Sequence, residues 1–261
     1  MTRPRFTTPL ERTALCLDFD GTLAPIVGDP ESTKALDGTD ELLARLAARC
    51  AAVALVSGRP ATFLASRVVA HGVRFLGMYG LEEVHDGHVR VDPALVAAEP
   101  AVRAALADLE ADRAVRDAGA YVEDKGHAVG VHLRRVAEPE RWAAPIAAAA
   151  AEIAGRHGLE VLPGRLVWEL RPGVRRDKGD AVRQVVAESG ARAVLVAGDD
   201  FGDLPAFAAA ADLADRSGLE VLRVAIGSAE APPDLLTQAD LVLDGPESLQ
   251  ALLKDLLPQP T

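Results

Sequence analysis

Two aspartates, Asp18 and Asp20, stand one residue apart where the apolar run ALCLDFD ends, and Gly21 and Thr22 follow them. Carboxylates this close repel, and neither favours a strand, whereas Gly and Thr suit a sharp turn. A second acidic group, Asp199, Asp200 and Asp203, ends the run AVLVAG. Between the two in sequence, AVALVS ends on Ser57, Gly58 and Arg59, and Lys178 opens a segment with helical spacing. Several carboxylates gathered at one place repel unless a divalent cation lies among them. Mg²⁺ prefers oxygen ligands and commonly takes one or two carboxylates plus a phosphate. A hydroxyl and an ammonium suit phosphate oxygens, and a helix opened by Pro60 would turn its positive end to the same place. Acids for a metal together with donors for an anion describe phosphoryl transfer. In that chemistry one carboxylate attacks phosphorus and forms an aspartyl-phosphate. Another protonates the leaving oxygen and then deprotonates water, which needs a raised pKa of the kind a neighbouring carboxylate produces. The Asp18/Asp20 pair supplies both roles. An EF-hand loop does not fit, because Thr22 and Leu23 occupy the fifth and sixth places, where Asp or Asn and then Gly are required.

The groups need strands whose ends share one edge. Buried strands are predicted at 13–19, 52–57, 73–79, 193–198, 219–226 and 239–244, with helices at about 40–49, 60–69, 178–189, 203–211, 233–238 and 246–256. HDGH at 85–88 signals a hairpin. This alternation describes an α/β fold with a Rossmann-like parallel sheet, and ligands bind such sheets outside the carboxyl ends of the strands. The middle of the chain has another rhythm. A helix at 100–117 precedes two strands within 120–136 around a Lys-Gly turn. A helix at 138–157 then precedes two strands within 159–172 around Pro163-Gly164. Helix–hairpin, repeated, builds an antiparallel sheet with helices on one face. The expected organisation is a core from residues 1–94 and 174–261, with an α+β domain inserted at 95–173.

Composition narrows the partners. The 261 residues carry a formal net charge of −11, which argues against non-specific nucleic-acid binding and against an anionic membrane surface. A phosphate site must then rely on local cations and a metal. No apolar run reaches the length that spans a bilayer, and MTRPRFTTPLERT has no apolar signal core. Cys16 and Cys50 both lie in apolar runs read as strands, as two buried, reduced thiols would. The expectation is a cytoplasmic monomer acting on a small molecule. The six histidines show no metal-binding spacing; His127 and His132 read as surface of the inserted domain, and Trp142 and Trp168 as its packing.

DFDGTLAPI, VSGRP, RRDKGDAV and VAGDDFGD resemble, in order, the four motifs of the haloacid dehalogenase (HAD) phosphatases. Within that superfamily the chain resembles the trehalose-6-phosphate phosphatases, on three segments: DGTLAPI (20–26), VEDKGHAVGVHLRR (122–135) and WELRPGVRRDKGDAV (168–182). The resemblance implies a HAD core with an inserted cap of the C2B type, and Mg²⁺-dependent hydrolysis of trehalose 6-phosphate. It implies Asp18 as nucleophile and Asp20 as acid/base. The metal would be held by Asp18, the Asp20 backbone carbonyl and Asp199, with Asp203 in support. Ser57 and Lys178 would neutralise the phosphoryl oxygens, Gly58 and Arg59 would contact substrate, and Asp200 would brace the turn or the metal's surroundings. Glu123, Lys125 and Glu169 would contact the sugar, with Arg134 and Arg171 as further cations on nearby strands. Two departures stand out: Tyr79 in GMYGLEE where the family has His, and Gly202 and Leu204 around Asp203. The alternatives are a phosphatase for sucrose 6-phosphate or mannosyl-3-phosphoglycerate, a phosphosugar mutase, and a non-catalytic sugar-phosphate sensor.

Overall fold

The computed structural model describes residues 6–174, 176–228 and 231–257. Residues 1–5 of the N-terminal segment and Arg175 of RRDKGDAV lie outside them. The chain divides into two compact units, one from its two ends (Met1–Arg90 and Arg176–Thr261) and one from Val91–Arg175.

The first unit is an α/β sandwich. Its strands are β1 (Thr13–Leu17), β2 (Ala52–Val56), β3 (Val73–Gly77), β4 (Glu82–His85) and β5 (His88–Val91) from the first part of the chain. After the second unit come β10 (Ala193–Gly198), β11 (Glu220–Gly227) and β12 (Leu241–Asp244). They form one sheet in the order β12-β11-β10-β1-β2-β3-β4-β5, parallel from β12 to β3 and antiparallel between β3 and β4. The central strands are apolar on both faces, as parallel strands covered on both sides must be. Leu15 and Leu17 point into the layer of α1 (Thr39–Ala47), α2 (Ala61–Arg67) and α9 (Gly245–Leu256). Ala14 and Cys16 point to the layer of α6 (Lys178–Ser189), α7 (Leu204–Ser217) and α8 (Pro233–Gln238). The β4–β5 hairpin turns on Asp86 and Gly87, both at positive φ, the backbone that an Asp-Gly pair favours.

The second unit pairs β6 (Tyr121–Asp124), β7 (Val129–His132), β9 (Val167–Pro172) and β8 (Leu159–Gly164) in the order β6-β7-β9-β8, all antiparallel. Helices α3 (Pro93–Ala111), α4 (Arg113–Ala118) and α5 (Pro139–His157) pack on one face of the sheet through Val131, Leu170, Leu109 and Ile146. Trp142 and Trp168 lie against this core. The other face takes the alternate positions, among them Glu123, His132 and Glu169.

Several local expectations change. The helix predicted at 100–117 is two helices. It begins at Pro93, where the Asp92 side chain accepts from the Ala94 N–H at 2.8 Å, and it breaks at Asp112, whose extended backbone and side chain cap α4. The second hairpin does not turn at Pro163-Gly164. β8 runs through both residues, Pro163 opposite Trp168, which is tolerated because β8 is an edge strand with no inward donor to lose. Cys50 precedes β2 rather than lying in it. Both cysteines are unpaired thiols, pushed up to about 12 by burial. Among the described residues no helix is long and apolar enough to cross a membrane.

Candidate active site

The parallel register carries the acidic tips to one edge of the first unit. Leu17 lies opposite Leu55 on β2 and Ala197 on β10, so Asp18, Ser57 and Asp199 leave neighbouring strand ends. The Asp18 N–H donates to the Ala197 carbonyl at 3.0 Å, extending that pairing one residue past β1.

Lys178 enters the cluster from the first turn of α6, a helix set by a capping box between Asp177 and Asp180. Its Nζ donates to Asp18 Oδ1 at 2.6 Å and to Asp203 Oδ1 at 2.7 Å, all three residues being buried. The other Asp203 oxygen accepts from the N–H groups of Asp199, at 3.0 Å, and Asp200, at 3.2 Å. Asp203 therefore holds Lys178 with one oxygen and the tip of β10 with the other. Thr22 Oγ1 donates to Asp199 Oδ1 at 3.3 Å. Gly21 sits at φ +84, and a Cβ there would lie 2.1 Å from Asp199 Oδ2. The turn after Asp18 thus needs glycine both for its backbone and for the carboxylate packed on it. Asp200 is exposed and caps the turn Phe201–Asp203 through the Gly202 N–H at 2.8 Å.

One oxygen from each of Asp18, Asp199 and Asp203 falls within 4.8 Å of the others. Three carboxylates against one ammonium leave a formal surplus of two negative charges. Burial first, and then the neighbouring carboxylates, push Asp18 up to about 8, Asp203 to about 8 and Asp199 to about 7, against the pull of Lys178. Burial disfavours the Lys178 ammonium, but Asp18, Asp203 and Asp200 together hold it well above its ordinary value. A buried, oxygen-only donor set with uncompensated charge fits a hard divalent cation. Asp18 and Asp199 are best set to hold one, since both Asp203 oxygens are already engaged.

The Asp20 carboxylate is not part of this group. It faces Arg59, whose Nε and Nη2 donate to its two oxygens at 3.0 and 3.1 Å. Ser57 is buried at the end of β2, and its Oγ accepts from the Arg59 N–H at 3.1 Å. Tyr79 reaches the same loop. Its N–H donates to the Ser57 carbonyl at 3.0 Å, and its phenol oxygen would lie 2.9 Å from a Cβ on Gly58. Tyr79 has a left-handed backbone, φ 60 and ψ 30, which sets its ring over this loop.

In the second unit, Glu123, Gly130 and Glu169 are aligned across three strands. Lys125 Nζ donates to Glu169 Oε2 at 2.5 Å and lies 3.9 Å from Glu123 Oε2. His132 Nε2 is 2.7 Å from the same Glu123 oxygen. Both glutamates are buried, and Glu169 Oε1 has no hydrogen-bond partner among the described residues. Arg171 follows Glu169 on the same strand, whereas exposed Arg134 lies in the turn beyond β7 rather than on a strand. Sequence reasoning missed two partners: Arg59 for Asp20, and His132, read as plain surface, for Glu123. The alternation His132–Gly130 on β7 was the available signal, since it puts His132 on the face of Glu123.

The trehalose-phosphatase family model matches residues 16–235. The trehalose-phosphate phosphatase of Mycobacterium avium (strain 104) is 38% identical over 201 residues, which are 74% of this chain and 50% of that protein. That of Mycobacterium marinum is 36% identical over 202 residues, 75% of this chain and 51% of that protein. The chain thus spans about half the length of these relatives. Among solved structures, a trehalose-6-phosphate phosphatase related protein superposes with a TM-score of 0.74 at 25% identity, covering 93% of this chain and 96% of that one. The C-terminal domain of Candida albicans trehalose-6-phosphate phosphatase (TM-score 0.72, 22% identity, 94% and 92% covered) shares the fold. So does a haloacid dehalogenase-like hydrolase from Bacteroides thetaiotaomicron (0.60, 15%, 94% and 99%). The family match begins within β1, takes in the strand ends bearing Asp18, Ser57 and Asp199 together with the helix of Lys178, and closes only at Leu235, so this chain belongs to the trehalose-phosphatase family.

Proposed function

We propose that the protein is an Mg²⁺-dependent phosphatase that hydrolyses trehalose 6-phosphate to trehalose and phosphate through an aspartyl-phosphate. The observation that carries the reading is the buried Asp18–Lys178–Asp203 contact, at 2.6 and 2.7 Å, beside Asp199. That cluster is short of positive charge and lined with groups suited to a phosphoryl ester. Asp18 and Asp199 would hold the ion with Asp203 in support, and the bound ion would supply charge neutralisation for the phosphoryl oxygens.

The residues divide the work. An Asp18 oxygen attacks phosphorus, and the bond from phosphorus to the sugar oxygen breaks. Asp20 gives that oxygen its proton, so the sugar leaves as an alcohol. Asp20, now a carboxylate, takes a proton from water; the water oxygen attacks phosphorus and the Asp18 carboxylate is released with phosphate. Lys178 and the Ser57 hydroxyl stabilise charge on the phosphoryl oxygens, and Asp203 keeps the ammonium aimed. The second unit is the sugar-recognition domain. Glu123, Lys125 and Glu169 form its hydroxyl-binding face, and the unpartnered Glu169 oxygen is an acceptor suited to a sugar hydroxyl. Arg171, two residues after Glu169 on β9, adds a cation to that face, and Arg134 lies in the turn beyond β7.

Phosphate release measured across trehalose 6-phosphate, sucrose 6-phosphate, mannosyl-3-phosphoglycerate and simple hexose phosphates tests the substrate. A clear preference for trehalose 6-phosphate is expected. Flat activity would reject it, and phosphate recovered on a second sugar would indicate a mutase.

A further inference from the structure

Arg59 stands in the loop after β2, where a cation would be expected to meet the substrate, yet its guanidinium is turned to Asp20. Nε donates to Asp20 Oδ2 at 3.0 Å and Nη2 to Asp20 Oδ1 at 3.1 Å, the two-point fork that only arginine makes with a carboxylate. The same Nη2 donates to the Pro30 carbonyl at 3.1 Å. The guanidinium lies over the Phe63 ring, 4.6 Å from its centre, and Phe63 meets Phe19 edge-on at 6.4 Å. At the other end the Arg59 N–H is bound to Ser57 Oγ, and its carbonyl accepts from the Met78 N–H at 2.9 Å. Backbone and head group are both fixed, and the side chain is only 12% exposed.

The fork does not cover Asp20. A carboxylate offers about four lone-pair directions, and the fork takes one on each oxygen. The Asp20 side chain stays 34% exposed, so its outer side is open to a leaving oxygen or to water. A fixed, uncovered carboxyl is what proton transfer at a defined point requires.

We propose that Arg59 is a positioning residue for Asp20: its guanidinium fork, anchored by Phe63 and the Pro30 carbonyl, sets the orientation in which the carboxyl exchanges its proton with the leaving oxygen and then with water. The inference rests on the reading of Asp20 as the acid/base. It is distinct from substrate binding, because Nε and Nη2 are committed to Asp20 and to the Pro30 carbonyl. Lysine cannot reproduce the geometry.

The test is the kinetics of wild type, R59A, R59K, D20N and R59A/D20N with Mg²⁺, on trehalose 6-phosphate and 4-nitrophenyl phosphate. The sugar oxygen needs a proton to leave and nitrophenolate does not. R59A is expected to lower kcat on the sugar ester about 10²-fold with little change in KM, and R59K not to restore it. The initial burst of nitrophenolate should be nearly unchanged. In the D20N background the Arg59 substitution should add little further loss, since residues that act as a unit are not additive. Should R59A fail to fold, R59K, which keeps the stem and the charge, carries the same measurement. A raised KM on both esters with kcat unchanged would make Arg59 a substrate ligand and overturn the proposal, as would an equal loss in the wild-type and D20N backgrounds. Inactivity of the wild type on both esters would instead remove the phosphatase reading beneath it.

Discussion

Lys178 and Asp203 are 2.7 Å apart in the buried cluster, and the Asp203 oxygen not bonded to Lys178 carries the N–H groups of Asp199 and Asp200. One carboxylate therefore ties the start of α6 to the tip of β10. Lys178 and the Asp199 N–H thus share a single support, although they are 21 residues apart in sequence.

Asp203→Asn should expose this coupling. The amide presents a donor either to Lys178 or to the two backbone N–H groups, so one side of the bridge fails. We expect kcat to fall about 10- to 100-fold, with a higher Mg²⁺ concentration for half-maximal activity. Metal titration of activity in both proteins reads the two effects. A change in one without the other would separate the roles assigned to Asp203.

The raised carboxyl groups predict how stability responds to pH. Asp18 and Asp203, at about 8, and Asp199, at about 7, lie above the ordinary 3.8. Between those values the native state binds protons that the unfolded chain has released. This contribution to stability is complete below about pH 4 and disappears as pH rises toward 8. A divalent ion takes the place of the protons, so Mg²⁺ should raise Tm more at pH 8 than at pH 5.5. Thermal melts at the two pH values, with and without Mg²⁺, check this; an equal metal shift at both would contradict it.

Gly21→Ala places a Cβ 2.1 Å from Asp199 Oδ2 at a backbone φ of +84. The substitution should cost about 1–3 kcal/mol in strain and displace the Asp199 carboxylate. Denaturant melts should show the lost stability, and isothermal titration should show weakened Mg²⁺ binding.

Most of the architecture was legible because buried parallel strands are apolar throughout and end abruptly. TALCL and AVLVAG announced both their burial and their tips. The segments ending in Asp18, Ser57 and Asp199 could be read for the same reason, and Lys178 from the helical spacing it opens. Errors came where local signals competed with position in the sheet: Pro163-Gly164 reads as a turn until β8 is seen to be an edge strand. Partnerships were harder to read. Arg59 with Asp20, Tyr79 over Gly58 and His132 with Glu123 depend on which side chains meet across strands and loops, which spacing along one segment does not encode.

His132→Ala removes the partner of Glu123 at 2.7 Å. If the polar face of the second unit recognises sugar, kcat/KM for trehalose 6-phosphate should fall about tenfold, while turnover of 4-nitrophenyl phosphate stays near wild type. Equal losses on both esters would place His132 outside sugar recognition.

The central claim is that a buried nucleophile, balanced by Lys178 and a divalent ion, attacks the phosphate ester. Phosphate release from trehalose 6-phosphate by wild type and Asp18→Asn, each with Mg²⁺ and with chelator, tests it most directly. Turnover is expected only for wild type with Mg²⁺, and Asp18→Asn is expected to be folded and inactive. Normal turnover by Asp18→Asn, or by wild type in chelator, would contradict it.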